Sequence, residues 1–98
     1  MREVIFEWDS AKEKINIHKH GIDFDTAAHV FADDNRIERY DDRHDVDEIR
    51  YQTIGDVNGH LTIVMVVYTV RRNESVIRII SARLATKTEK EAYLNGYC

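Results

Sequence analysis

SVIRIISARLATKTEKEAY, residues 75–93, is the stretch around which the chain is organised. Ser75–Arg83 has the β-branched, apolar composition of a strand. Thr86 with Glu89 then forms a capping box that opens a C-terminal helix. Arg78, Arg83 and Lys87 add three evenly placed cations. Arg78 and Arg83 differ by five positions, so strict alternation puts them on opposite faces of the strand. Either the strand bends or ends near Ala82, or the two arginines do different jobs. Arg83 lies three residues before the Thr86 cap. A helix start offers unpaired N–H groups and a positive dipole end, so Arg83 and Lys87 flank a position suited to a phosphate. Arg83 is expected to work with that helix start, and Arg78 to serve the fold or a protein contact.

Working outward, Arg71-Arg72-Asn73-Glu74 reads as a turn into this last strand. Before it, Leu61–Val70 (LTIVMVVYTV) is apolar on both faces and belongs in the middle of a sheet. Asn58-Gly59 is a hairpin signal linking it to a strand over Ile49–Val57, and Arg36–Tyr40 reads as another. The segment between them, DDRHDVDE, reads as a solvated connection. Nearer the start, Val4–Trp8 is a short strand, and Ser10 with Glu13 reads as a capping box opening a helix. Ala11, Ile15 and His18 share one face of that helix, and Gly21 stops it. Asp23 or Asp25 caps a second helix with Phe24, Ala27, Ala28 and Phe31 as its apolar stripe; Asp33-Asp34-Asn35 ends it. The order β-α-α-β-β-β-β-α predicts an α+β domain over residues 1–98, an antiparallel sheet with helices on one face.

Composition narrows the class. At 98 residues the chain supports one core. One cysteine, Cys98, excludes an internal disulfide and a Cys-rich metal site, and a reduced, cytoplasmic location is expected. No secretory leader pattern or membrane-spanning apolar run is read. The net charge of −4 runs against polyanion binding, but its distribution is uneven. Residues 33–48 hold eight acids and three arginines, whereas residues 71–90 hold six basic residues and two acids. A polyanion on the basic side and a basic partner on the acidic side would suit that asymmetry.

Cleaving a phosphodiester needs positive charge on the non-bridging oxygens and groups that move protons. Arg83, Arg78 and Lys19 are the candidate cations, with Lys87 as an RNA contact. His20, His44, Glu48 and Glu89 are the candidate proton-transfer groups, although the capping box alone accounts for Glu89. Lys19 and His20 also suit C-terminal helix capping. Trp8 and Tyr68 are candidates for base stacking, against a place in the core. Metal binding by DDRHDVDE is weakly supported, because the regular spacing of a calcium loop is missing. No cofactor is called for.

Three ordered blocks resemble one known family. Phe6-Glu7-Trp8-Asp9, Lys12, Asn16, Lys19-His20-Gly21 and Phe24 form the first, and Asp42-Arg43-His44, Glu48, Arg50 and Ile54-Gly55 the second. Arg78-Ile79-Ile80-Ser81-Ala82-Arg83, Ala85-Thr86, Glu89 and Tyr93 form the third. Together they resemble the BrnT family, ribonuclease toxins of type II toxin–antitoxin pairs. The resemblance implies a RelE-like fold, metal-independent RNA cleavage in the bacterial cytoplasm and inhibition by a BrnA-like antitoxin. It also implies a heterotetramer of two toxins and two antitoxins, with operator DNA contacted only through the antitoxin. The chain departs from such toxins in its acidic balance and in the alternation of Lys and Glu after Thr86. The competing reading is a non-catalytic, degenerate toxin fold acting as a binding or regulatory subunit.

Overall fold

In the computed structural model, residues 4–41, 48–59, 61–73 and 75–96 are described. The elements run β1 (Ile5–Glu7), α1 (Ser10–His20), α2 (Phe24–Ala28), a 3₁₀ turn (His29–Ala32), β2 (Ile37–Asp41), β3 (Arg50–Asp56), β4 (Ile63–Arg71), β5 (Val76–Leu84) and α3 (Lys87–Asn95). The strands lie in the order β1-β5-β4-β3-β2, so β4 is central, as its two-sided apolar sequence requires.

Two features differ from the sequence expectation. The sheet is mixed, because β1 pairs parallel to β5 while the other neighbours are antiparallel. After β1 the chain crosses by way of the helices to the far edge at β2. The strands β2 to β5 then alternate in direction and return beside β1. A strand placed by a crossover is free of the reversal that a hairpin imposes. Helices also cover both faces. Phe24, Ala27 and Val30 pack with Val64, Val66, Ile79 and Ala82. On the other face, Ala92 and Tyr93 of α3 pack with Ile37, Ile54, Ile63, Met65 and Val67. A central strand that is apolar on both sides demands both layers.

The helix ends follow local hydrogen bonding. Asp9 rather than Ser10 caps α1, accepting from the N–H groups of Ala11 at 2.8 Å and Lys12 at 3.2 Å. The Glu13 carboxylate is used elsewhere, accepting from Phe24 N–H at 2.9 Å. Asp23 caps α2, and Thr86 with Glu89 forms the expected capping box on α3. Gly21 ends α1 at φ 75, a left-handed conformation that glycine adopts without strain. Gly55 is needed for another reason: a Cβ there would lie 2.8 Å from Val30 Cγ2, so the 3₁₀ turn could not pack on β3.

The buried side of α1 is not the Ala11, Ile15 and His18 stripe, all of which is exposed, Ile15 to 65%. It is Asn16. β1 pairs only with residues 76–78 of β5, leaving the edge of β5 beyond them open. Asn16 closes that edge: its amide donates to Ala82 O at 2.9 Å and its carbonyl accepts from Ala82 N–H at 3.1 Å. The same amide reaches Ile22 O at 2.9 Å. Replacing Asn16 with alanine strands buried main-chain groups, so Asn16→Ala is expected to cost about 2–4 kcal/mol, read as a lowered urea midpoint with unchanged m-value.

Candidate active site

One extra residue in β5 decides which side chains meet. Ser81 and Arg83 lie opposite Val67 and Met65, whereas Ile79 and Arg78 lie opposite Tyr68 and Thr69. Ile80 therefore has no partner of its own, and the register shifts between Val67 and Tyr68. Such a bulge displaces the side-chain alternation by one position. Met65, Val67 and Thr69 share a face, so Arg78 and Arg83 both point to the side that α3 covers. The five-residue spacing, which separates them on a regular strand, brings them together on this one.

Arg83 belongs to a cluster centred on Glu89, whose side chain is 8% exposed. Arg83 Nη1 donates to Glu89 Oε1 at 2.8 Å and Nη2 to Oε2 at 3.0 Å, a two-pronged contact. Arg39 Nη2 donates to the same Oε2 at 3.0 Å and to Gln52 Oε1 at 2.7 Å. Thr86 N–H donates to Glu89 Oε1 at 2.9 Å as the helix cap. Burial acts to raise the Glu89 carboxyl, but the Arg83 hydrogen bonds and charge, the Thr86 N–H and Arg39 together outweigh it and hold it at about 2. It is therefore ionised at neutral pH and a weak base, suited to holding two guanidinium groups in place.

A second cluster occupies the same face beyond the bulge. Glu7 and Arg78, aligned on β1 and β5, are 2.9 Å apart, and Arg71 Nε is 3.7 Å from Glu7. Arg71 Nη2 also approaches Glu48 at 3.4 Å, and Glu48 accepts from Arg50 Nε at 3.2 Å. The result is a chain Arg78–Glu7–Arg71–Glu48–Arg50. Thr69 Oγ1 donates to Ile49 O at 2.6 Å and ties down the segment that carries Glu48. These side chains are 30–47% exposed, and pairs of that kind contribute only about 0–1 kcal/mol each.

Of the residues singled out from the sequence, Arg78, Arg83, Glu48 and Glu89 thus share the α3 face, Arg83 and Glu89 in the first cluster and Arg78 and Glu48 in the second. Lys87 is exposed in the first turn of α3, directly after the Thr86 cap. Lys19 and His20 are exposed in the last turn of α1, one turn past the Asn16 contact with Ala82. Trp8 and Tyr68 are on the opposite side. Trp8 packs edge-on to Phe24 at 6.1 Å, and Tyr68 stacks between Phe31 and Tyr51 with its hydroxyl donating to Glu38. His44 and most of the DDRHDVDE connection, residues 42–47, lie outside the described residues. Sequence reasoning missed Arg39, Gln52, Arg50, Arg71 and Glu7 as parts of these clusters. Ile37 and Arg39 share parity in β2, which would have placed Arg39 on the face of the α3 core had the strand register been known.

A family described as the ribonuclease toxin BrnT of type II toxin–antitoxin systems matches residues 8–89. The chain belongs to the BrnT family. The match runs from Trp8 to Glu89 and so spans both arginine clusters except Glu7. No curated protein matches the chain. Membership makes it a ribonuclease toxin by family, with an antitoxin as its partner class. Among the described residues no helix is long and apolar enough to cross a membrane.

The low carboxyl of Glu89 carries a pH signature. Its folded value lies below its ordinary 4.5, so its contribution is complete above about pH 4.5 and is lost as pH falls towards 2. Glu89→Gln is expected to be less stable at pH 7, by on the order of 3 kcal/mol, and to show a flatter stability profile between pH 5 and 2 in urea titrations.

Proposed function

We propose that this BrnT-family chain is a metal-independent endoribonuclease that cuts RNA on the α3 face of its sheet and so blocks translation and growth. A BrnA-like antitoxin neutralises it in a cytoplasmic assembly of two toxins and two antitoxins, and operator DNA is contacted only through the antitoxin. Family membership supports the ribonuclease toxin class. The observation that carries the mechanism is the pair of guanidinium groups, Arg39 and Arg83, held side by side on Glu89.

The reaction is attack of a ribose 2′-oxygen on the adjacent phosphorus. The new P–O2′ bond forms as the P–O5′ bond breaks, leaving a 2′,3′-cyclic phosphate and a 5′-hydroxyl. One proton leaves the 2′-hydroxyl and one arrives at O5′, so no oxidant or co-reactant is required. Arg39 and Arg83 neutralise the non-bridging oxygens as charge builds on them, the task a metal ion performs in other nucleases. Glu89 acts as a positioning residue, since a carboxyl held at about 2 is a poor acceptor for a 2′-hydroxyl proton. Proton transfer falls to Glu48, His20 or His44. Lys19 and Lys87 add charge along the path of the strand.

The competing reading, a non-catalytic binding module, draws support from the net charge of −4 and from the carboxylate partner of each arginine on this face. Induced expression and purified RNA cleavage separate the two. Wild-type chain should arrest growth and cut RNA equally well with and without EDTA. Arg83→Ala and Arg39→Ala should each lower kcat/KM by about 10²–10³-fold while keeping the wild-type circular dichroism spectrum. A folded Arg83→Ala chain that remains fully toxic removes Arg83 from the mechanism. A wild-type chain that neither arrests growth nor cuts RNA is a binding module.

A further inference from the structure

The arginines of the second cluster, Arg50, Arg71 and Arg78, have no role in the proposed cleavage step. Arg78 lies opposite Thr69 and Arg83 opposite Met65, four residues apart on β4, so their backbones are separated by roughly 13 Å at the rise of a β-strand. Arg83 and Arg39 are engaged on Glu89, whereas Arg78 and Arg71 are engaged on Glu7 and Arg50 on Glu48, so the two clusters share no carboxylate. An anion that displaces Glu7 and Glu48 from Arg50, Arg71 and Arg78 leaves the contacts of Arg39 and Arg83 with Glu89 intact. Those three arginines are joined in one chain by two shared carboxylates, Glu7 and Glu48. Their side chains remain 30–47% exposed, so an entering phosphate can take over their N–H groups without unpacking the core.

We propose that Arg50, Arg71 and Arg78 form a second phosphate subsite, which binds a neighbouring phosphate of the same RNA strand, and that Glu7 and Glu48 occupy its arginines until RNA displaces them. The substrate class is then a single strand extending beyond the cut linkage, with affinity set partly at a distance from the chemistry. This rests on the ribonuclease reading for its substrate but not for its test.

The probe is a fluorescent 2′-O-methyl RNA oligonucleotide, which lacks the attacking hydroxyl and reports binding alone. Anisotropy titrations at several salt concentrations give Kd and its salt slope. Arg71→Ala/Arg78→Ala is expected to raise Kd about tenfold and to flatten the slope by about 0.7 for each phosphate no longer neutralised. Glu7→Gln is expected to act in the opposite direction, tightening binding about threefold, because it removes the carboxylate that competes for both arginines. A merely structural ion pair would weaken on removal of either partner, so opposite signs identify the subsite. A single uncharged methylphosphonate linkage beside the central position should also weaken binding to the wild-type chain, a readout that needs no variant. On cleavable RNA the double variant should raise KM more than it lowers kcat.

The subsite is overturned if the folded double variant keeps wild-type Kd and salt slope, or if Glu7→Gln weakens binding as the arginine variants do. Insensitivity of the wild-type chain to every methylphosphonate position also overturns it. A wild-type chain that binds the 2′-O-methyl strand with these signatures yet cuts no RNA sinks the ribonuclease reading and leaves the subsite standing. One that cuts RNA while the double variant binds normally does the reverse. A chain that neither binds nor cuts removes both.

Discussion

Arg78 and Arg83 reach the same face of the sheet only because β5 carries one residue more than β4 between them. With Ile80 removed from the count, the spacing is even and the alternation works; with it retained in a regular strand, one arginine would face the core beneath α1 and α2. There it would meet Phe24, Val64, Val66 and Ile79, where an unpaired cation is costly. The bulge solves this without breaking the strand. Ile80 itself packs with the α3-side core, so the extra residue adds apolar contact where it disturbs the ladder. The presence of Arg78 and Arg83 on one face depends on that one shift of register.

The second constraint is the sharing of Glu89. One carboxylate closes the N-terminus of α3, fixes Arg83 from β5 and fixes Arg39 from β2. The capping box therefore joins local helix formation to tertiary placement of the site. Loss of the carboxylate would loosen the helix start and both guanidinium groups together, so stability and geometry at this point cannot be varied independently. The Tyr93 hydroxyl adds a second tether for α3 by donating to Asp33 at 2.6 Å, with burial and that contact pushing the phenol up to about 12.

Much of the fold was legible because it rests on local chemistry. The Thr86–Glu89 box, the Gly21 stop and the central position of Leu61–Val70 follow from propensity, capping and two-sided hydrophobicity. The second helical layer was implicit in that same strand, since a strand apolar on both sides needs cover on both. What could not be read was register. Nothing local in VIRIISAR marks Ile80 as the extra residue, because a bulge is defined by the partner strand. Competition between equally good local choices accounts for the rest. Asp9 and Ser10 are both good caps, and Glu13 is drawn away to Phe24. Asn16 is polar on a helix whose apolar neighbours lie outside, so periodicity pointed to the wrong face; its partner is a strand edge sixty-six positions away.

The acidic balance of the chain takes on a different meaning once the α3 face is seen as a lattice of alternating charge. Among the described residues, five guanidinium groups from four strands crowd this face, and like charges so close would repel and splay apart in the absence of an anion. Three glutamates placed among them keep each arginine extended and pre-oriented. The three differ in firmness. Glu89 is buried and holds its pair tightly, whereas Glu7 and Glu48 are about a third exposed and their pairs are weak. A net negative charge is therefore compatible with an anion-binding face, because binding depends on how readily each carboxylate is displaced. On the proposed reading, the gradient from Glu89 to Glu7 would separate arginines held fixed for chemistry from arginines that exchange partners as a strand arrives.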